Sequence, residues 1–184
     1  MIYHISITGH RPVRLKGGYD LEHPLHISLF NEIYEILEYF VGSKQHVTLH
    51  TGMALGVDTI FALAGVQLKQ KYPNQVTLVA EIPCLGQERR WSKQDQSLYR
   101  ELLTYMDVQT IYQKKYTKSC MFERNSGMVK ASDLVLAVYD GSGKGGTSHA
   151  VKEARRLGKD LYLFNASVYI KERSRLVKTY PLMN

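Results

Sequence analysis

Cysteine is scarce in this 184-residue chain, with Cys84 and Cys120 standing 36 positions apart. Neither belongs to a C-x-x-C pair or has a histidine at metal-ligand spacing, which excludes a disulfide framework and a cysteine-ligated metal and leaves two reduced, structural thiols. No apolar stretch approaches the roughly 20 residues that a membrane helix needs, so no membrane partner is expected. Met1 runs directly into strand-like residues, with no basic segment and apolar signal core ahead of them, and the expected location is the cytoplasm. Repeats, low-complexity tracts and linkers are also missing. At 21.1 kDa the chain suits one α/β domain with a proper core and is short for two.

Acidic residues are the minority charge, 17 against 24 basic ones, for a net charge of +7. Basic groups occur at Arg89, Arg90 and Lys93, at Lys114, Lys115 and Lys118, along Lys152 to Lys159, and from Lys171 to Lys178. This balance suits anionic ligands, either a nucleotide or a nucleic acid. The last two groups read equally well as a solvated helix face and a basic tail. Thirteen tyrosines and five phenylalanines are scattered, with no aromatic platform of the RNA-binding type.

Short β-branched or aromatic runs ended by turn residues predict strands at Tyr3 to Ile7, Val47 to His50, Val76 to Ile82, Val108 to Tyr112, Leu134 to Tyr139 and Asp160 to Phe164. Helical spacing fills the gaps: Leu25 to Phe40, Gly56 to Lys71, Ser92 to Tyr105, Met121 to Ala131 and Ser148 to Leu157. Alternating β and α predicts an α/β three-layer sandwich, a mainly parallel sheet of about five to seven strands with helices on both faces. The domain is expected to occupy residues 1–166, followed by a basic C-terminal extension at 167–184.

Ligands of open parallel sheets bind beyond the C-terminal strand ends. Every unusual string in this chain stands at such an end: T-G-H-R-P from Thr8, T-G-M-A-L-G-V-D from Thr51, the stretch Pro83 to Trp91, and D-G-S-G-K-G-G-T-S from Asp140 to Ser148. A glycine loop opening a helix lets backbone N–H groups and the positive end of the helix dipole converge on an anion, phosphate above all. Gly141, Gly143 and Gly146 fit G-x-G-x-x-G, but in the last unit rather than the first, and the next strand ends at Asn165 with no acidic residue. A Walker A loop is excluded, because Gly146 is followed by Thr147 and Ser148.

Five ordered motifs carry a resemblance: T-G-H-R-P, T-G-M-A-L-G-V-D, I-P-x-x-G-Q-E-x-R-W from Ile82, R-N-x-x-M-V-x-x-S-D from Arg124, and D-G-S-x-x-G-G-T from Asp140. Over about residues 1–165 the chain resembles the YpsA-like branch of the SLOG superfamily, which is named for the Smf/DprA proteins and the Lonely Guy enzymes. The resemblance implies a Rossmann-like fold and a nucleotide, nucleotide-sugar or DNA ligand. The Lonely Guy enzymes hydrolyse the N-glycosidic bond of nucleoside monophosphates with an arginine, matched here by Arg124, and a glutamate in G-G-x-G-T-x-x-E, where this chain has Ala150. Alanine can neither stabilise an oxocarbenium-like transition state nor activate water. Glu153 lies one turn, about 5 Å, further along the helix.

The nominated ligand-binding residues are Thr8, Gly9, His10 and Arg11 in the first loop and Gly52, Met53, Ala54, Gly56 and Asp58 in the second. Pro83 and Arg90 represent the third, Arg124 and Asn125 the following helix, and Asp140, Gly141, Ser142, Gly145, Gly146 and Thr147 the last loop. Arginines match phosphate oxygens with their planar forks, Arg124 first and Arg90 next. Trp91 reads as packing on the third strand in preference to stacking on a base. His10 and His149 are placed to touch a ligand, whereas His23 and His26 lack a third metal ligand.

The leading expectation is a binding module that senses or sequesters a nucleotide-derived molecule, such as an ADP-ribose or NAD relative, with no required cofactor or metal and with a homo-oligomer allowed. An N-glycosidase using Arg124 with Glu153 or Asp58 is the enzymatic alternative. DNA handling after the fashion of the DprA proteins is the third, motivated by the +7 charge; nucleic acid ranks below a small ligand because 184 residues leave no room for an accessory DNA-binding domain.

Overall fold

The computed structural model describes residues 2–171. Six strands alternate with helices: β1 (Ile2–Gly9), α1 (Pro24–Ser43), β2 (His46–Thr51), α2 (Val57–Lys71), β3 (Val76–Cys84), α3 (Lys93–Thr104), β4 (Val108–Gln113), α4 (Cys120–Ala131), β5 (Leu134–Val138), α5 (Gly145–Arg156), β6 (Asp160–Leu163) and the short α6 (Ala166–Tyr169). All strand pairs are parallel, in the order β4-β3-β2-β1-β5-β6. Central strands covered on both faces read as continuous apolar runs, as in β5, all five of whose residues are buried.

The helices start and stop where side chains allow. Ser92 caps α3 by accepting from Asp95 N–H at 3.1 Å, and His23 caps α1 by accepting from Leu25 N–H at 3.2 Å, with Pro24 pre-set at the first helical position. In α1 the buried Leu29, Ile33, Leu37 and Val41 recur every fourth residue and face the sheet. α1, α2 and α3 pack on one face and α4 and α5 on the other, as right-handed crossovers require when the chain runs outward to β4 and then returns to β5.

Residues 167–171, which the sequence reading assigned to the extension, pack on the domain. Tyr169 and Ile170 are buried, Ile170 pairs with Leu15, and Lys171 N–H donates to Arg14 C=O at 2.9 Å. The remaining basic positions, Arg173, Arg175 and Lys178, lie outside the described residues.

Candidate ligand-binding crevice

Strand order creates the site. The chain leaves β1 toward β2 on one side, and β5 returns to pair with β1 on the other, so the loops after β1 and β5 diverge at a topological switch point. Three side-chain bonds span this point: His10 Nε2 lies 3.2 Å from Asp140 Oδ1, Arg14 donates to Asp140 Oδ2 at 2.5 Å, and the Thr147 hydroxyl donates to Gly9 C=O at 2.9 Å. Desolvation pushes the Asp140 carboxyl up, but bonds from Ser142, the His10 ring and Arg14 outweigh it and hold the group well below the usual carboxylate range. A depressed acid adds stability above its unfolded value and loses it as pH falls through its folded one. The stability difference between wild type and Asp140→Asn is therefore expected to shrink as pH falls below about 4, as read by thermal melts.

The second loop encloses a buried ion pair. Arg124, on the buried stripe of α4 with Cys120 and Met128, donates to Asp58 Oδ2 at 3.3 Å, and Ala54 N–H reaches the same oxygen at 3.4 Å. A Cβ on Gly52 would fall on the Arg124 guanidinium and lie 2.6 Å from Asp58 Oδ2. Gly56, at φ 97°, passes so close to the first loop that a Cβ would stand 2.7 Å from His10 C=O. Burial pushes the Asp58 carboxyl up, and the Arg124 and Arg11 guanidiniums draw it back only in part. Burial likewise pulls Arg124 down against the pull of Asp58.

Arg124, read from sequence as the foremost phosphate clamp, is 5% exposed and holds Asp58 and the loop in place. Exposed Arg11 is the cation beside that pair. Asn125 reaches the last loop, donating to Gly146 C=O at 3.2 Å. Met53, at φ 53°, is buried, and its carbonyl accepts from Gln87 of the third loop at 3.4 Å. Pro83 is buried within β3, and Arg90 turns to a cavity bordered by Trp91. Trp91 packs edge-on against Tyr99 at 5.4 Å between ring centres. Ser132 and Asp133, which close the fourth motif, are structural: Ser132 bonds Met128 C=O, and Asp133 accepts from His4 N–H at 2.8 Å.

Of the positions weighed for hydrolysis, Asp58 is paired with Arg124 at the second loop, and positions 150 and 153 lie within α5. Ala150 is buried in an apolar cluster with Val129, Val135 and Ala154, so a glutamate there would be a carboxylate among aliphatic groups. Glu153 accepts from the Ser126 hydroxyl at 2.5 Å and lies 3.4 Å from His149 and 3.6 Å from Arg156.

A further polar network escaped the sequence reading. His4 Nδ1 lies 3.1 Å from His50 Nε2, and His50 Nδ1 lies 2.9 Å from Glu81 Oε1, a chain across β1, β2 and β3. Tyr112 of β4 is near enough for Glu81 to push its hydroxyl further up beyond the effect of burial. The signal was Glu81, the lone charged residue of β3.

The YpsA family model, described as the YspA SLOG family, matches residues 5–166. The chain belongs to that family. It is 28% identical over 165 residues to a UPF0398 protein of Bacillus cereus, and 28% identical over 157 residues to one of Bacillus thuringiensis, covering 84% of both chains in each case. The fold is similar to that of DNA processing protein A (DprA) from Streptococcus pneumoniae, at TM-score 0.61 and 14% identity, covering 88% of this chain and 50% of that one. It is also similar to DNA processing protein A from Helicobacter pylori, described for its single-stranded DNA binding mode, at TM-score 0.55 and 15% identity, covering 94% and 67%. This chain thus spans half the length of the S. pneumoniae protein.

Membership supports a nucleotide-binding function of the SLOG kind in general. The ranking of nucleic acid below a small ligand is corrected by the same comparisons. Want of an accessory domain was its basis, yet the DprA likeness lies in the α/β domain that this chain possesses. Among the described residues no helix is long and apolar enough to cross a membrane.

Proposed function

We propose that the crevice binds a phosphodiester backbone, single-stranded nucleic acid in particular, without releasing its bases. The observation that carries this reading is the convergence of the loops after β1, β2 and β5 at the switch point. Around them stand Arg11, Arg14, exposed Lys144 at the start of α5, and Lys152, which donates to Gly143 C=O at 3.4 Å. Backbone N–H groups at the first turn of α5 have no helical partner and accept an anion together with the helix dipole. One of the similar DprA proteins is described as a DNA processing protein and the other for its single-stranded DNA binding mode, which supports a polymer over a mononucleotide.

Fluorescence anisotropy with a labelled oligothymidylate tests this. Four cations at the phosphates give a log–log salt slope of about −3 for a single strand, and replacing Lys144 and Lys152 by glutamine should halve it. A mononucleotide bound equally well, with little salt dependence, would favour a small-molecule sensor instead. Gly146→Val is expected to abolish binding with the fold intact. A Cβ at this position already meets Asn125 Nδ2 at 3.0 Å, and the larger side chain closes the backbone approach to phosphate. Unchanged affinity by calorimetry would make the loop a mere turn.

Base release from nucleoside monophosphates, followed by chromatography, is expected to be negligible. Position 150 carries no carboxylate, and Glu153 is engaged by Ser126, His149 and Arg156. Robust turnover lost in Glu153→Gln would make the protein an N-glycosidase.

A further inference from the structure

A cavity of about 820 Å³ adjoins the second loop, bordered by Tyr19, Asp20, Leu55, Arg90, Trp91 and Asp95. It shares Tyr19, Leu55 and Asp95 with a recess of about 20 Å³ that reaches Gly56 and His26. That recess is large enough for about one polar atom or water. Leu55 and Gly56 belong to the loop whose neighbouring residues hold the Arg124–Asp58 pair, so one short segment walls both the crevice and the cavity.

The polar groups have a pattern. His26 is 3% exposed, and its Nδ1 lies 2.7 Å from Asp20 C=O, so Nδ1 carries the proton and donates. Its Nε2 is then a lone-pair acceptor, and it is buried with no partner. Burial pulls the ring below its ordinary range, which keeps it neutral. An unpaired acceptor buried in this way has lost its hydration without a replacement, which a donor from a ligand relieves. Half-buried Asp95 takes the Ser92 hydroxyl on Oδ2 at 2.7 Å, and it lines the large cavity and the recess alike. Asp20 and Glu22 add two further carboxylates, while Arg90 is a planar donor on the same cavity. Exposed Tyr19 and partly buried Trp91 border the same space.

We propose that this cavity is a base-reading pocket for guanine: Asp95 and His26 Nε2 accept from the base's N–H donors, Arg90 donates to its acceptor edge, and Tyr19 and Trp91 flank the ring. Guanine alone among the bases offers N1–H and a 2-amino group to a carboxylate together with O6 and N7 to an arginine fork. Adenine and cytosine each present one amino group, and thymine one imino group, so each leaves a polar group of the pocket unpaired. The Coulomb attraction of the crevice cations then binds any sequence, and the pocket selects among sequences. The inference rests on the reading of the crevice as a phosphodiester site.

The experiment uses the full-length protein and labelled oligothymidylates that carry at one central position guanine, hypoxanthine, adenine or thymine. Guanine is expected to bind about tenfold more tightly than thymine or adenine, the size of one charge-assisted hydrogen bond. Hypoxanthine, which lacks the 2-amino group, should fall between them. Asp95→Asn should erase the guanine preference, with matched melting and all-thymine affinity kept within about twofold, and Tyr19→Ala should weaken every oligomer that fills the pocket. Equal affinity for all four oligomers overturns the pocket and leaves the crevice reading standing. So does a guanine preference that survives Asp95→Asn. Failure of the wild type to bind any of them removes the crevice reading and the pocket together.

Discussion

Gly52→Ala is expected to remove oligonucleotide binding and to destabilise the protein by about 3 kcal/mol, the cost of breaking a buried ion pair. The added methyl occupies the position of the Arg124 guanidinium, which must leave Asp58. Asp58 Oδ2 then retains only the Ala54 N–H at 3.4 Å, and the loop that Arg124 organises is released. Gly42→Ala is the control, since a Cβ there meets nothing within 4 Å in the last turn of α1. It should be neutral or stabilise by up to about 1 kcal/mol. Denaturant melts of both variants decide the matter, and equal stabilities would show that Arg124 moves aside freely.

Arg124→Met is expected to have a comparable effect, about 3–5 kcal/mol, because it leaves Asp58 buried without its counter-charge. The sign of the pH dependence is fixed. Burial already holds the Asp58 carboxyl above its ordinary value, and loss of Arg124 raises it further. A carboxyl raised in the folded state adds stability while protonated and loses it as pH rises through the folded value. The variant should therefore lie closest to wild type in acid and fall behind toward neutral pH. Adding Asp58→Leu to Arg124→Met should recover part of the loss, since an apolar pair replaces an orphaned charge. A pH-independent deficit, unrelieved by the second substitution, would place the cost in packing.

The six strands and the helices α1 to α5 were legible because a parallel sheet writes itself as apolar runs ended by glycine, and its helices as apolar residues every third or fourth position. The neighbours of each strand were not legible. The pairing of β1 with β5 is set by the return of the chain through α4, and it alone brings His10 to Asp140 and Gly9 to Thr147. The motifs pointed to the sheet edge where the loops after β1, β2 and β5 gather, but not to the partners that their residues have in the fold. Arg124 stands between Cys120 and Met128 at four-residue spacing, a pattern that marks an apolar stripe and so a buried arginine. Gly52 is nominated from the sequence as a ligand-binding glycine, and the sequence does not show that the Arg124 side chain, 72 positions away in the chain, occupies the space a Cβ would take. Arg90 and Pro83 share a motif with Trp91 and are nominated from the sequence as ligand-binding residues of the third loop. In the fold Pro83 is inside β3, and Arg90 faces the cavity beside it. Glu81 was not legible as a network residue because its partner, His50, lies 31 positions away on the neighbouring strand.

The central claim, that the cations at the switch point bind a phosphodiester backbone, is tested most directly by anisotropy titrations of the full-length protein with an oligothymidylate over a salt series. Wild type is compared with Arg11→Gln. The expected result is tight binding at low salt with a log–log slope of about −3, and a slope lower by about 0.7 with weaker affinity in Arg11→Gln. Binding whose slope is near zero, or whose slope and affinity are identical in Arg11→Gln, would contradict it.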